Sequence, residues 1–144
     1  LLFTVNLYDY SVKRQQLAPK KVYCIDTGLA TEVGFAFSPN RGRLLENLVF
    51  LALRRKTKEV YYLTSPNGYE IDFFLPEKGL IVQVAEHMKN PETREREIRS
   101  IKDIIDQDRI RQGLILAHAN EDPIEVGGKS IDIRSLSEWL LEQE

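Results

Sequence analysis

The sequence is poor in the features that most quickly narrow a protein's role. It has one cysteine, Cys24, in 144 residues, so no disulfide can form within the chain and a reducing cytoplasm is the expected compartment. Cys24 sits in the apolar stretch Val22-Tyr23-Cys24-Ile25 with no histidine near it in sequence, and reads as a small buried residue rather than a nucleophile. Of the two histidines, His87 and His118, neither has a second histidine or a cysteine at metal-ligand spacing. No apolar run approaches the roughly 18 to 20 residues that a membrane span requires, and there is no low-complexity tract or solenoid-length repeat. A net charge of −2 argues against a generally basic nucleic-acid binder, though not against a local basic patch. Gly-x-x-x-x-Gly-Lys-Ser/Thr is absent too, so nothing here cradles the phosphates of ATP in that way.

What is present is the balance of a folded domain, with 42% apolar and 29% charged residues. The chain opens Leu1-Leu2-Phe3, without methionine or a charged leader, and its one methionine is Met88; the expectation is a piece of a longer protein. Leu1 to Asp9 and Lys21 to Asp26 read as strands joined by a polar, basic connection, with a turn at Asp26-Thr27-Gly28 and a loop through Pro39, Asn40 and Gly42. A helix is predicted from Arg41 to Lys56, apolar around most of its circumference, with Arg43, Asn47 and Arg54 on a narrow polar stripe. Val60–Thr64, Tyr69–Leu75 and Leu80–Ala85 form a meander, the first pair joined by Pro66-Asn67-Gly68, a strong hairpin signal. Asn90-Pro91-Glu92 opens a helix with Ile98, Ile101, Ile104 and Ile105 on its apolar side. Gly113–His118 reads as a buried strand, Ile124–Ile133 as a hairpin, and Ser135 and Glu138 as the capping box of a last helix. The expected class is α/β, a mixed central sheet covered by the Arg41 and Glu92 helices.

One constellation could carry chemistry. Alternation in Tyr69-Glu70-Ile71-Asp72-Phe73-Phe74 puts Glu70 and Asp72 on one face, and Gln83 and Ala85 share a face of the next strand. Glu46 falls in the apolar arc of the Arg41 helix, where a carboxylate is costly unless it meets a metal or hydrogen-bond donors. A helix acid, a strand acid and a polar pair on the following strand could hold a hard divalent ion beside a phosphodiester.

The blocks Lys20-Lys21-Val22-Tyr23-Cys24-Ile25-Asp26-Thr27-Gly28-Leu29, Gly42-Arg43-Leu44-Leu45-Glu46-Asn47-Leu48-Val49-Phe50, Glu70-Ile71-Asp72-Phe73 and Pro91–Glu97 together resemble the C-terminal domain of unknown function of archaeal and bacterial AAA-type ATPases. That domain belongs to the restriction-endonuclease-like, or PD-(D/E)XK, superfamily. The resemblance implies a restriction-endonuclease-like core over residues 36–144. Residues 1–35 would then be a β-hairpin segment ending an upstream winged-helix region, with ATP held by a module further upstream. Carried over, the helix acid is Glu46, the strand aspartate is Asp72, and the Asp/Glu-x-Lys becomes Gln83-Val84-Ala85. Gln83 offers oxygen without charge, so Mg²⁺ would bind weakly at most, through Glu46 and Asp72. Ala85 removes the lysine that steadies the attacking water or the phosphorane, a loss of about 10² to 10³ in rate. Lys78 and Lys89 have no spacing that favours them as replacements.

The expectation is therefore a degenerate nuclease site in a non-catalytic accessory domain of a larger ATPase, binding nucleic acid or a protein partner and touching no membrane. A surviving Mg²⁺-dependent nuclease using Glu46, Glu70 and Asp72 is one alternative; a structural dimerisation module is another. Lys13 and Arg14, with Lys20 and Lys21, make the most basic segment and are candidates for contact with a DNA backbone, as is Arg96. Arg94, Arg96, Arg99 and Lys102 could line a phosphate groove, but acids are interleaved among them, with Glu92/Arg96 and Glu95/Arg99 at i,i+4, and the run reads more readily as a solvated face. Tyr61-Tyr62 and Phe73-Phe74 fit strands buried on both faces better than a base-stacking platform.

Overall fold

Where the connection between the first two strands looked merely polar, Ser11 begins a short helix: its hydroxyl accepts from the Arg14 N–H at 3.3 Å, closing the first turn. The computed structural model describes residues 2–26 and 41–144. The turn expected at Thr27-Gly28 and the loop expected at Pro39-Asn40 lie outside the described residues. In chain order the elements are β1 (Leu2–Val5), α1 (Val12–Leu17), β2 (Lys21–Cys24), α2 (Arg41–Lys56), β3 (Tyr61–Thr64) and β4 (Glu70–Leu75). There follow β5 (Leu80–Val84), α3 (Pro91–Lys102), β6 (Gln112–Ala117), β7 (Glu121–Val126), β8 (Lys129–Ser135) and α4 (Leu136–Glu142).

The fold is α/β. Strands β3 to β8 form one mixed sheet in the order β3-β4-β5-β6-β8-β7, parallel at β5–β6 and β6–β8 and antiparallel elsewhere. The tight turns are where the sequence placed them. Gly68 takes φ +86° after Asn67, and the Gly127-Gly128 pair takes +59° and +77° between β7 and β8. That left-handed backbone is cheap only for glycine.

Each face of the sheet is closed by one of the two long helices. Val49, Phe50, Ala52 and Leu53 of α2 pack with Phe73, Leu75 and Val82, and with Trp139 of α4. On the other face Ile101, Ile104 and Ile105 pack with Ile71, Phe74, Ile81, Ile115 and Ile131. Helix α3 is capped as its sequence requires, with Asn90 Oδ1 accepting from the Glu92 and Thr93 N–H groups and Pro91 in the first turn. Glu97 of α3 is buried while Ile98 is only half-buried, so the apolar side of this helix is rotated from the one expected.

Strands β1 and β2 pair antiparallel in a separate ribbon, yet Val5, Leu7 and Tyr23 sit in the same core as Phe50. The first strand is shorter than the expected Leu1–Asp9 because the chain changes partner. After Val5 it leaves β2 and runs beside β3, where Tyr62 N–H donates to Asn6 O and Tyr8 N–H to Tyr62 O. Asn47 fastens the ribbon to α2. Read from sequence as part of a polar stripe, it is 6% exposed. Its Oδ1 accepts from Cys24 N–H and its Nδ2 donates to Cys24 O, both at 2.9 Å. The side-chain amide thus imitates a neighbouring strand for one residue of β2, satisfying both backbone groups. Asn47→Ala should destabilise the protein by about 1–3 kcal/mol in urea denaturation, because it leaves those groups unpaired; a change below about 0.5 kcal/mol would show that the clamp is dispensable.

Candidate functional site

The carboxylates singled out in the sequence meet. Glu46 is on the second turn of α2, and Glu70 and Asp72 are on the opening residues of β4. One carboxylate oxygen from each lies within 4.8 Å of the others. Alternation accounts for the strand pair. A local irregularity helps: the β3–β4 register shifts between Tyr61↔Phe74 and Leu63↔Ile71. Phe73 consequently packs on the α2 side of the sheet while its alternation partner Ile71 packs on the α3 side.

A lysine stands at the centre of these acids, and it comes from β2. Lys21 Nζ is 2.6 Å from Glu46 Oε1, 2.8 Å from Glu70 Oε1 and 3.7 Å from Asp72 Oδ1. Its ammonium also lies 5.7–5.9 Å from the ring centroids of Tyr23, Tyr62 and Phe73, a cage that favours a cation. Tyr23, two residues on and so on the same face of β2, stacks on Phe50 at 4.5 Å and gives its hydroxyl to Glu46 Oε1 at 2.5 Å. The remaining oxygen of Asp72, Oδ2, accepts the Val84 N–H at 2.9 Å. The cluster opens into a cleft of about 370 Å³ lined by Lys21, Tyr23, Arg43, Glu46, Asn47 and Glu70.

Gln83 and Ala85 are not part of this cluster. With Ile81 they take the α3 side of β5, where Ala85 is buried among Met88 and the α3 isoleucines. The Gln83 amide is fully used as a staple where β4 and β5 part. Its Oε1 accepts from Asp72 N–H at 2.8 Å, and its Nε2 donates to Glu70 O at 3.2 Å and to Glu97 Oε2 at 2.8 Å. The expected placement of Gln83 beside Glu46 and Asp72 is corrected accordingly: it supports the site through the backbone of β4 and offers no oxygen to it. Lys78 lines a different cleft, under Trp139, and Lys89 is exposed.

The lysine that matters was legible only as one of a basic run, Lys20-Lys21. Two signals could have found it: the Lys21-x-Tyr23 spacing, which shares a strand face, and the need of an inward-facing Glu46 for a positive partner. Of the basic residues proposed for DNA, Lys13 and Arg14 are exposed on α1, with Arg14 3.2 Å from Asp9. Arg96 is exposed on α3 beside Glu97 at 3.6 Å. The wider α3 row is largely engaged, Arg94 with Glu121 at 2.7 Å and Arg99 with Glu95 at 2.5 Å. Cys24 is half-buried and unbridged.

The electrostatics follow from packing three acids around one base. For Lys21 burial works against the ammonium, but Asp72, Glu46 and the hydrogen bonds to Glu46 and Glu70 outweigh it, so its pKa is held above the ordinary value. Burial, then Glu46, push the Tyr23 hydroxyl upward, so it stays a donor. Asp72 is raised to about 8, first by burial and then by the Glu46 charge, against the pull of Lys21 and the Val84 N–H. A divalent ion would find three suitable oxygens here, but the Lys21 ammonium already fills the space they share. The set as folded therefore does not fit a metal.

Comparison with known proteins finds similarity without naming a role. No family model matches the sequence, and no solved structure matches it. A protein of Methanocaldococcus jannaschii described as uncharacterized is 36% identical over 110 residues, 73% of this chain. The match spans 24% of that protein, so the chain covers about a quarter of the length of the curated relative. No helix among the described residues is long and apolar enough to cross a membrane.

A carboxyl with a raised folded-state pKa holds its proton more tightly folded than unfolded, so its contribution is most favourable in acid. For Asp72 that contribution declines as pH rises from 3.8 to about 8. Asp72→Asn keeps a neutral group at every pH and can still accept from Val84. Its stability relative to the parent should therefore climb by about 1 kcal/mol or more between roughly pH 5 and pH 8. A pH-independent difference in chemical denaturation would mean that Asp72 is ionised throughout.

Proposed function

We propose that this chain is a non-catalytic accessory domain of a larger AAA-type ATPase, acting in the cytoplasm, in which a nuclease-like frame is kept for binding nucleic acid. The observation that carries the reading is the Lys21 bridge: an ammonium within 2.6–3.7 Å of Glu46, Glu70 and Asp72 supplies internally the charge that a catalytic metal would otherwise bring. The second support is that the Gln83 amide is spent on β4 and Glu97, so it does not supply a fourth oxygen to a coordination shell. Membership of a larger protein is supported by the relative, whose matched part is a quarter of its length. ATP would then belong to a separate phosphate-loop module, and nucleic acid is the partner that the exposed Lys13, Arg14 and Arg96 suit best.

A second reading, a Mg²⁺-dependent nuclease, is favoured by one observation. The oxygens of Glu46, Glu70 and Asp72 converge within 4.8 Å, so a metal could enter if Lys21 swung aside and served as the missing lysine. The two readings part on plasmid DNA incubated with Mg²⁺ or Mn²⁺. The binding reading expects no nicking above a metal-free control and no rise in melting temperature with either ion. Nicking that is lost in Asp72→Asn would establish the nuclease instead.

A further inference from the structure

On the far side of the β3 edge from the acids lies a wider cleft of about 660 Å³, and we propose that it binds single-stranded nucleic acid, stacking a base on Tyr10 and taking a phosphate at Arg109 and Arg14. This deepens the binding role proposed above and rests on it.

The cleft forms where residues 8–10, leaving the edge of β3, meet the β3–β4 turn and the segment 107–109 that precedes β6. Tyr8 is fixed as its wall, edge-on to Tyr61 at 5.2 Å and to Phe74 at 5.0 Å. Tyr10 is the most exposed large apolar side chain among the described residues, at 81%. Its ring meets the Arg109 guanidinium and the edge of Tyr8 but otherwise stands open at the mouth of the cleft, and that open aromatic surface suits a base, whatever the base's identity.

Arg109 supplies the second observation. Its guanidinium carbon is 5.2 Å from the Tyr8 ring centroid and 4.9 Å from that of Tyr10, so the cation is held between the two rings. Nε and Nη1 are shut off from solvent and meet no hydrogen-bond acceptor among the described residues. No carboxylate of those residues comes within ion-pair distance of it either, whereas Arg14 is paired with Asp9 at 3.2 Å. Desolvating a guanidinium without a carboxylate or a set of acceptors is costly. Ring faces offset part of that cost, and a phosphate bonded at Nη2, the nitrogen not shut off from solvent, would add an opposite charge close to the buried part of the group. Cation, aromatic faces and an open groove are the parts from which single-strand sites are built.

Two carboxylates temper the field. Asp9 is committed to Arg14 and to the Ser11 N–H, while Asp108 is exposed at the mouth. Among the described residues two cations, Arg14 and Arg109, line the groove, so the salt dependence should be shallow, with a log–log slope of about −1.4 for two phosphates. Duplex DNA presents no free base to Tyr10.

Fluorescence anisotropy of the purified protein with labelled single strands of roughly 12 nucleotides, as DNA and as RNA, and with a duplex of equal length, tests the site. The single strands should bind at least about tenfold tighter than the duplex. The DNA and RNA arms show which nucleic acid fits better. Tyr10→Ala should weaken single-strand binding about tenfold or more, Tyr10→Phe should preserve it, and Arg14→Gln should flatten the salt slope by about 0.7. Tyr10 is too exposed for its loss to unfold the chain. Binding that Tyr10→Ala leaves unchanged, or a duplex bound as tightly as the single strand, would overturn the site. If binding then depends on Lys13 or Arg96, the accessory role still stands; if no oligonucleotide binds at low salt, the nucleic-acid reading falls with the site.

Discussion

The ammonium of Lys21 is the point on which the rest of the arrangement turns. It draws together an acid from α2, two from β4 and three aromatic rings, and it reaches them from a ribbon that is not part of the main sheet. Without a positive charge there, Glu46, Glu70 and Asp72 would crowd like charges into a partly buried space, a cost that rises steeply as solvent is excluded. With it, Glu46 can face the core side of its helix. Asn47, the next residue, then locks the same strand through Cys24. One helix turn thus secures both the charge and the backbone that carries it.

This explains why β1 and β2 behave as part of the domain although they pair only with each other. Tyr23 stacks on Phe50 and meets Phe73 at a tilt, and Leu7 extends the β3 edge. A boundary drawn near residue 35 divides the sequence but not the core. The ribbon brings the lysine to the carboxylates on one side. Its continuation past β3 brings Tyr8 and Tyr10 to Arg109 on the other, so both clefts owe their composition to the first 25 residues.

Much of the framework was legible because its signals are local. The Arg41–Lys56 helix, the Asn67-Gly68 and Gly127-Gly128 turns and the Asn90-Pro91 start follow from periodicity, positive φ and capping, which act over a few residues. The shared face of Glu70 and Asp72 follows from the strand period, and the inward angle of Glu46 from the helical one. The errors were of another kind. Asn47 looked polar and therefore exposed, but its amide was needed by an edge of backbone 23 residues away. Gln83 looked like a failed ligand, yet its amide bridges two strands and a helix. The segment 12–17 looked like loop because its helix is one and a half turns with no buried residue.

What the sequence by itself determined is the class of fold, the order of its longer elements and the pair of acids on β4, since each depends on repeat patterns within one segment. The identity of the cation among those acids, and the side of β5 on which Gln83 and Ala85 lie, were decided only in three dimensions. Lys21 is 25 residues from Glu46 and 51 from Asp72 along the chain, and no spacing rule connects a strand of one ribbon to a strand of another sheet. The analogy with a nuclease placed the lysine at position 85, where the fold puts a buried alanine. The cation that meets these acids is Lys21, delivered by a neighbouring ribbon, because carboxylates gathered in a partly buried space need a compensating charge.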